Sequence, residues 1–186
     1  MTRQILRKKF TVEQYHQMSE LGILSDRDRV ELIQGEILQM SPIGRRHAAC
    51  VDRLTERLIL LLSTKAIIRS QNPIRLSNNS EPQPDIALLR RREDFYAENH
   101  PQPDDIFLVI EVSDTTVDFD REIKIPIYAE ARIVEVWLID LNAQQIEVYR
   151  EPTSQGYQSV QILSREQTIT LLAFPEIELS VQQILG

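Results

Sequence analysis

The order of the apolar segments between residues 45 and 140 is the feature that most constrains the fold of this chain. A stripe of apolar residues at helical spacing comes first, followed by three β-rich segments, a second helical pattern and a further apolar strand. These segments are 45–65 (helix), 66–76, 85–89 and 105–113 (strands), 117–132 (helix) and 133–141 (strand). The order predicts a mixed α/β (α+β) fold with an α-β-β-β-α-β core.

Shorter elements are predicted on both sides of this core. On the N-terminal side, Thr11 and Gln14 form a capping-box pattern, which predicts a helix that ends near Gly22. Two alternating apolar runs then meet at Gln34-Gly35, which predicts a β-hairpin. On the C-terminal side we predict four short antiparallel strands and a closing helix, at 144–150, 157–163, 168–172, 176–180 and 181–185.

Composition is typical of an ordinary globular protein. Hydrophobic residues make up 42% and charged residues 26% of the 186 residues, so we predict one domain over residues 1–186. The longest apolar run, 58–62, is far shorter than the roughly 18 residues of a membrane span, and no secretory signal pattern follows the basic start. We therefore expect a cytoplasmic protein that does not enter the membrane. The lone cysteine, Cys50, excludes an internal disulfide.

Two carboxylates lie at the ends of neighbouring predicted strands. Asp85 begins the segment 85–89, and Glu111 interrupts the otherwise apolar segment 105–113. Burying a lone charge is costly, so an acid inside a buried strand needs a partner or a metal. If the two strands are antiparallel neighbours, the start of one lies beside the end of the other, and the carboxylates converge. Such a pair offers the oxygen ligands that Mg²⁺ or Mn²⁺ prefers.

Lys124 is the third candidate site residue. It lies in the predicted helix 117–132, and Asp120 precedes it by four positions on the same helix face. If this helix packs back across the sheet, the lysine can bring its ammonium group to the two carboxylates. There it could orient a water molecule or stabilise developing negative charge. Pro126 is expected to kink or shorten the helix.

Four short motifs resemble the Uma family of restriction endonucleases, which belongs to the PD-(D/E)XK nuclease superfamily. They are "QPD" at 83–85, "IEVSD" at 110–114, the Asp120, Lys124 and Tyr128 spacing, and "VEVWLID" at 134–140. The resemblance extends upstream to the hairpin and His47, over roughly residues 10–180. It implies the same α-β-β-β-α-β core as the apolar segments.

The resemblance also implies roles for individual residues. Asp85 corresponds to the motif aspartate and Glu111 to its acidic partner. Ser113 stands where the plain superfamily motif has a lysine, and in the Uma-type pattern that lysine has moved to the next helix, at Lys124. Glu36 is an additional candidate metal ligand, or a hydrogen-bond acceptor beside one, although Glu31 lies on the same predicted hairpin.

Each residue also has a structural explanation that the sequence leaves open. Asp85 after proline is typical of a turn, and Lys124 could be a surface residue that forms a simple ion pair with Asp120. His47 at the start of a helix favours capping or packing over metal binding. His16 and His100 have no partner that the sequence identifies.

The sequence therefore predicts a nuclease that uses Mg²⁺ or Mn²⁺ to hydrolyse DNA, with a homodimer expected because cleavage of both strands needs two sites. The net charge of −7 opposes this, since twelve acidic residues and only four arginines lie between Glu81 and Glu122. We expect the cation or local arginines, at 45, 46 and 90–92, to offset the repulsion. The alternatives are a non-catalytic binding or regulatory module on the nuclease scaffold, and a hydrolase of smaller phosphate esters.

Overall fold

The computed structural model describes residues 7–25 and 27–186. The helices are α1 (Val12–Glu20), α2 (Arg45–Leu62), α3 (Val117–Phe119), α4 (Ile125–Glu130) and α5 (Val181–Leu185), with a 3₁₀ turn at Pro103–Asp105 and a π-helical turn at Asp120–Lys124. The strands are β1 (Val30–Ile33), β2 (Glu36–Gln39), β3 (Ala66–Ser70), β4 (Ile86–Arg90), β5 (Ile106–Ser113), β6 (Glu135–Asp140), β7 (Gln145–Thr153), β8 (Gly156–Leu163), β9 (Thr168–Thr170) and β10 (Glu178–Ser180).

Strands β3 to β8 form a six-stranded sheet in sequential order. Its neighbours are antiparallel except β5 and β6, which are parallel. A parallel pair requires a crossover connection, and the segment from α3 to α4 provides it. The predicted α-β-β-β-α-β order is confirmed, since α2, β3, β4, β5, the crossover and β6 follow one another in that order.

Helices cover both faces of the sheet, so its central strands are buried on both sides. One core cluster lies between the sheet and helices α2 and α5, and it includes Leu58 and Trp137. The other lies beneath α4 and includes Tyr128 and Leu138. Glu111 is the register partner of Leu138 in the parallel pair, so its side chain points to the α4 face. The crossover therefore packs over the candidate acid.

The predicted N-terminal elements are also confirmed. In α1 the Thr11 hydroxyl accepts a hydrogen bond from the Gln14 amide at 3.2 Å, and the Gln14 side chain accepts one from the Thr11 amide at 3.1 Å. Strands β1 and β2 join through Gln34 and Gly35, whose φ angles are 49° and 78°. Two positive φ angles are typical of a type I′ hairpin turn. A Cβ on Gly35 would lie 2.8 Å from Cβ of Lys9, so this turn also needs glycine for space.

The predicted helix at 117–132 is present and runs without a break from Val117 to Glu130. The disturbance expected from Pro126 takes the form of the π-helical turn at Asp120–Lys124, which the sequence did not predict. None of the helices in the described residues combines the length and the apolar character that a membrane span requires.

Candidate active site

Strands β4 and β5 bring the two predicted carboxylates together. Ile86 is the register partner of Ile110 in this antiparallel pair, so Asp85 comes opposite Glu111 where the ladder ends. The Asp85 side chain accepts a hydrogen bond from the amide of Val112, with Oδ2 and N 2.8 Å apart. Both acids line one cavity of about 480 Å³. The convergence that the sequence predicts is therefore present in the fold.

Glu111 is buried, with 3% of the residue exposed. Its Oε1 accepts a hydrogen bond from the hydroxyl of Tyr128 at 2.5 Å and lies 3.2 Å from Nζ of Lys124. Within residues 7–25 and 27–186, no hydrogen bond reaches Oε2. Burial raises the pKa of Glu111 to about 8, although the nearby ammonium of Lys124 opposes that shift. Glu111 thus has one oxygen held by the protein and one that a ligand can contact.

Lys124 is also buried, and it bridges two carboxylates. Its Nζ lies 3.2 Å from Glu111 and 3.4 Å from Oε2 of Glu31. Burial opposes the charge on this ammonium, but the surrounding carboxylates, Glu111 foremost, hold the pKa of Lys124 above its ordinary value. The sequence-based alternative of a surface lysine is therefore wrong. Asp120, which that alternative paired with Lys124, accepts a hydrogen bond from the Thr116 hydroxyl at 3.0 Å.

The π-helical turn that ends at Lys124 has a cause in the sequence. Pro126 has no amide N–H, and in a regular helix its ring would clash with the carbonyl four residues earlier. The chain widens just before it, and the amide of Ile125 donates to the carbonyl of Asp120, five residues back. Single π-helical turns are common at functional sites because they redirect side chains. Lys124 enters the cavity from this widened turn.

His47 contacts the motif aspartate. Its Nε2 lies 3.0 Å from Oδ1 and 3.1 Å from Oδ2 of Asp85, and the side-chain Nε2 of Gln71 donates to Oδ1 at 3.4 Å. The hydrogen bond with Asp85 raises the pKa of His47 above its ordinary value. Sequence reasoning favoured a capping or packing role for this histidine. The only signal for its position was that the family resemblance extends to it.

Glu31 is the hairpin acid that lines the cavity, and the expectation for Glu36 does not agree with its position. Glu36 lies beside the turn of the β1–β2 hairpin, where its Oε1 is 2.8 Å from Nζ of Lys9. Glu31 is 4% exposed, lines the cavity and accepts a hydrogen bond from the amide of Gln83 at 3.1 Å. The two acids lie at different ends of the hairpin, and only Glu31 reaches the cavity.

The arginines that were expected to offset phosphate repulsion lie at different distances from the carboxylates. Arg45 and Arg46 begin α2, whose N-cap residue, Gly44, lines the cavity. Arg45 is exposed, while Arg46 pairs with Asp114 at 3.1 Å. Residues 90–92 follow the opposite end of β4 from Asp85, roughly 17 Å away at the usual rise per residue. These three arginines therefore lie too far from the carboxylates to offset phosphate repulsion there.

The donor set of the cavity suits a hard divalent cation. Carboxylate oxygens are the usual protein ligands of Mg²⁺, which binds one or two of them and completes its octahedron with waters and substrate phosphates. Among the described residues, no three acid or histidine groups of this cavity bring ligand atoms within 4.8 Å of one another. Asp85 and Glu111 therefore match a two-carboxylate site better than a cage made wholly of protein ligands.

Comparison with known proteins identifies the fold and the family. The fold is similar to a crystal structure at 1.96 Å resolution, described as a putative nuclease belonging to DUF820 from Anabaena variabilis ATCC 29413. The TM-score is 0.71 at 17% identity, over 95% of this chain and 97% of that chain, which shows a shared fold. No curated protein matches the chain. The family model Uma2, described as "Putative restriction endonuclease", matches residues 12–182 and supports a nuclease role. The chain belongs to the Uma2 family, as its motifs predicted.

Proposed function

We propose that this protein is a metal-dependent nuclease that hydrolyses DNA phosphodiester bonds. The observation that carries the proposal is the cluster of partly buried Asp85 with buried Glu111 and Lys124, in which two carboxylates and one ammonium line a single cavity. Removing a lysine and several acids from water is costly, and such perturbed groups in a cavity are candidates for a functional site. Family membership favours nuclease chemistry over other uses of such a cluster.

Asp85 and Glu111 are the proposed ligands of Mg²⁺ or Mn²⁺. Such a cation, when bound, neutralises phosphate charge and makes a water molecule a better nucleophile. His47 and the Val112 amide fix the orientation of Asp85, and Tyr128 fixes Glu111. The protein thus supplies a preorganised pair of oxygens, which is what a hard cation site needs.

Lys124 is the proposed positioning group for water and phosphate. Its ammonium is held between Glu31 and Glu111, so its location is set before any substrate arrives. A fixed cation in a site that excludes bulk water stabilises developing negative charge without reorganisation. We assign to Glu31 the role of holding this lysine, in place of the ligand role expected of Glu36.

The N-terminus of α2 supports binding of a phosphate beside the carboxylates. Gly44 and the first turn of this 18-residue helix face the cavity, and free backbone amides at a helix start attract anions. Arg29 also lines the cavity, and Arg45 is exposed next to it. These groups offset part of the repulsion that the net charge of −7 imposes on DNA.

We further propose that residues 1–186 form one domain, since both core clusters pack on the same sheet. A homodimer would supply the two sites that cleavage of both strands requires. Light scattering coupled to size exclusion measures the mass, and a dimer of 21.6 kDa chains is expected.

The test is cleavage of plasmid and branched DNA in Mg²⁺ or Mn²⁺ by the wild type and by Asp85→Asn, Glu111→Gln and Lys124→Met. We expect each substitution to lower the rate at least about 100-fold, as loss of one preorganised charge does in other active sites. Glu36→Gln is the matched control, because this acid lies outside the cavity. Circular dichroism checks that each variant is folded. Equal rates in the wild type and all three cavity variants would reject the proposal.

A non-catalytic binding module is the second candidate, and the acidic net charge favours it. Mn²⁺ calorimetry, with cleavage assays on DNA and on a small phosphodiester, distinguishes the nuclease from this module and from a hydrolase of small esters. A nuclease binds Mn²⁺ in a manner that depends on Asp85 and cleaves DNA. A binding module cleaves neither substrate, and a hydrolase of small esters cleaves only the small one.

A further inference from the structure

A second cluster of metal-ligating side chains lies outside the carboxylate cavity. His16 is on α1, Glu81 forms an isolated bridge with Leu32 ahead of β4, and His100 is in the connection between β4 and β5. One ligand atom from each of the three lies within 4.8 Å of the others. No other three acid, histidine or cysteine groups among residues 7–25 and 27–186 meet this condition.

Glu81 is the buried member of the cluster. The residue is 3% exposed, and its backbone is fixed by a 2.7 Å hydrogen bond from its amide to the carbonyl of Leu32. Its Oε1 lies 2.7 Å from Nε2 of His16. Its Oε2 is buried and, within the described chain, has no hydrogen-bond partner. A buried carboxylate oxygen without a donor is costly, so this atom is suited to contact a cation.

The two imidazoles face each other across this acid. Their ring centroids lie 6.1 Å apart at an interplanar angle of 70°, and both rings are partly exposed. Burial lowers the pKa of His100, which favours the neutral form that binds metals. The cluster opens on a separate cavity of about 250 Å³, which shares no lining residue with the larger one. The two sites are therefore spatially distinct.

We propose that His16, Glu81 and His100 bind a divalent cation of the zinc class, with a fourth position open to the smaller cavity for water. Two imidazole nitrogens and one carboxylate oxygen are a common ligand set for Zn²⁺, whereas Mg²⁺ prefers oxygen ligands alone. The bound cation contacts Oε2 of Glu81 and joins α1 to the connection that precedes β5. These ligands are separated by up to 84 positions along the chain. A cation bound to all three therefore links α1 to the rest of the protein.

The test uses the metal-free full-length chain and Zn²⁺ alone as the probe. The background is Asp85→Asn, which weakens any binding of Zn²⁺ at the carboxylate cavity. Calorimetry is expected to show one Zn²⁺ per chain in this background, and His16→Gln or His100→Gln is expected to weaken it more than about tenfold, since a ligand matters at least as much as the groups that orient it. Saturating Zn²⁺ is expected to raise Tm by about 5 °C or more.

The matched control is His47→Gln, which removes a histidine of the carboxylate cavity. It should leave Zn²⁺ affinity unchanged in the same background. Co²⁺ gives a second readout, because its visible absorption bands report four-coordinate binding, and His16→Gln should abolish them. His16 has an exposed fraction of 43% for its side chain, so this variant is expected to fold. Absence of Zn²⁺ binding in Asp85→Asn, or unchanged affinity in both His16→Gln and His100→Gln, overturns the proposal.

Discussion

The carboxylate cavity and the His16–Glu81–His100 cluster place buried acids in opposite situations. In the cavity, Glu111 and Glu31 share the ammonium of Lys124, so the protein itself supplies the compensating cation. In the smaller cluster, the Glu81 side chain has only a half-exposed histidine as partner within residues 7–25 and 27–186, and one of its oxygens has no donor there. The first site is charged and internally paired before any ligand arrives. In the second, no lysine or arginine among the described residues forms an ion pair with Glu81.

Because of this difference, a bound metal ion would have a different main effect at each of the two sites. Lys124 already stabilises the carboxylates of the cavity. We therefore expect a cation bound there to contribute mainly to catalysis and less to the stability of the fold. A cation at Glu81 supplies a partner for Oε2 that the described part of the chain does not provide, so its main effect is on stability. The comparison makes Lys124 the residue whose loss should have the largest effect on the metal-free fold.

Lys124→Met is therefore expected to cause the largest destabilisation. Above the Glu111 pKa of about 8, removing the lysine leaves its carboxylate partners without their cation, which costs about 3–5 kcal/mol of the free energy of unfolding. Urea denaturation at pH 9 in EDTA measures it. Adding Glu111→Gln should recover part of the loss, because the charge left behind is then removed as well.

The matched control is Lys65→Met, since Lys65 pairs with Glu176 on the surface, where both side chains are about half exposed. Surface pairs of this kind contribute little. If Lys124→Met is no more destabilising than this control, the buried network does not depend on its lysine, and the contrast between the two sites fails.

Glu111→Gln should remove a dependence of stability on pH. The pKa of Glu111 rises from an ordinary value of 4.5 to about 8 on folding, so the folded state holds its proton longer than the unfolded state. The stabilisation that comes from this retained proton is fully present below pH 4.5 and is lost as the pH rises through about 8. In EDTA we expect the wild type to lose roughly 2–4 kcal/mol over this range.

Urea titrations at several pH values between 4.5 and 9 test this expectation. Glu111→Gln should flatten most of the slope, with a smaller part remaining because burial also raises the pKa of Asp120. Glu122→Gln is the control, as this acid is exposed on the same π-helical turn. A wild-type slope that persists unchanged in Glu111→Gln would show that another group carries it.

Tyr128→Phe should have an intermediate effect that grows with pH. Its hydroxyl donates to Glu111, so the bond strengthens when that carboxyl loses its proton. We expect a loss of about 1–3 kcal/mol at pH 9 and less at pH 6. Tyr15→Phe is the matched control, because its hydroxyl donates at 3.0 Å to the neutral carbonyl of Val30 and should show no such pH dependence.

Much of the fold and part of the site follow from local sequence patterns. Asp85 and Glu111 meet because each lies at a fixed position on strands that are antiparallel neighbours, and strand register determines the rest. The capping box of α1 and the Gln34-Gly35 turn are likewise local. These features depend on residues that are close in sequence or on a regular pairing.

Other features depend on distant packing and could not be predicted. His16, Glu81 and His100 approach one another from three separate segments, with no periodic signal between them. His47 contacts Asp85 only because α2 packs across the start of β4. Pro126 predicted a disturbance of the crossover helix, but not that it would be a π-helical turn ending at the buried Lys124.

The choice between Glu31 and Glu36 is the case where the sequence was least informative, and it gives the smallest expected effect. Both are hairpin acids, but Glu36 is over a third exposed and pairs with Lys9, while Glu31 contacts Lys124. Glu36→Gln should therefore leave the urea midpoint and Mn²⁺ affinity unchanged within error. Glu31→Gln should lower the midpoint, because Lys124 loses one of its two carboxylate contacts. If Glu36→Gln lowers Mn²⁺ affinity as much as Asp85→Asn does, Glu36 is a metal ligand after all.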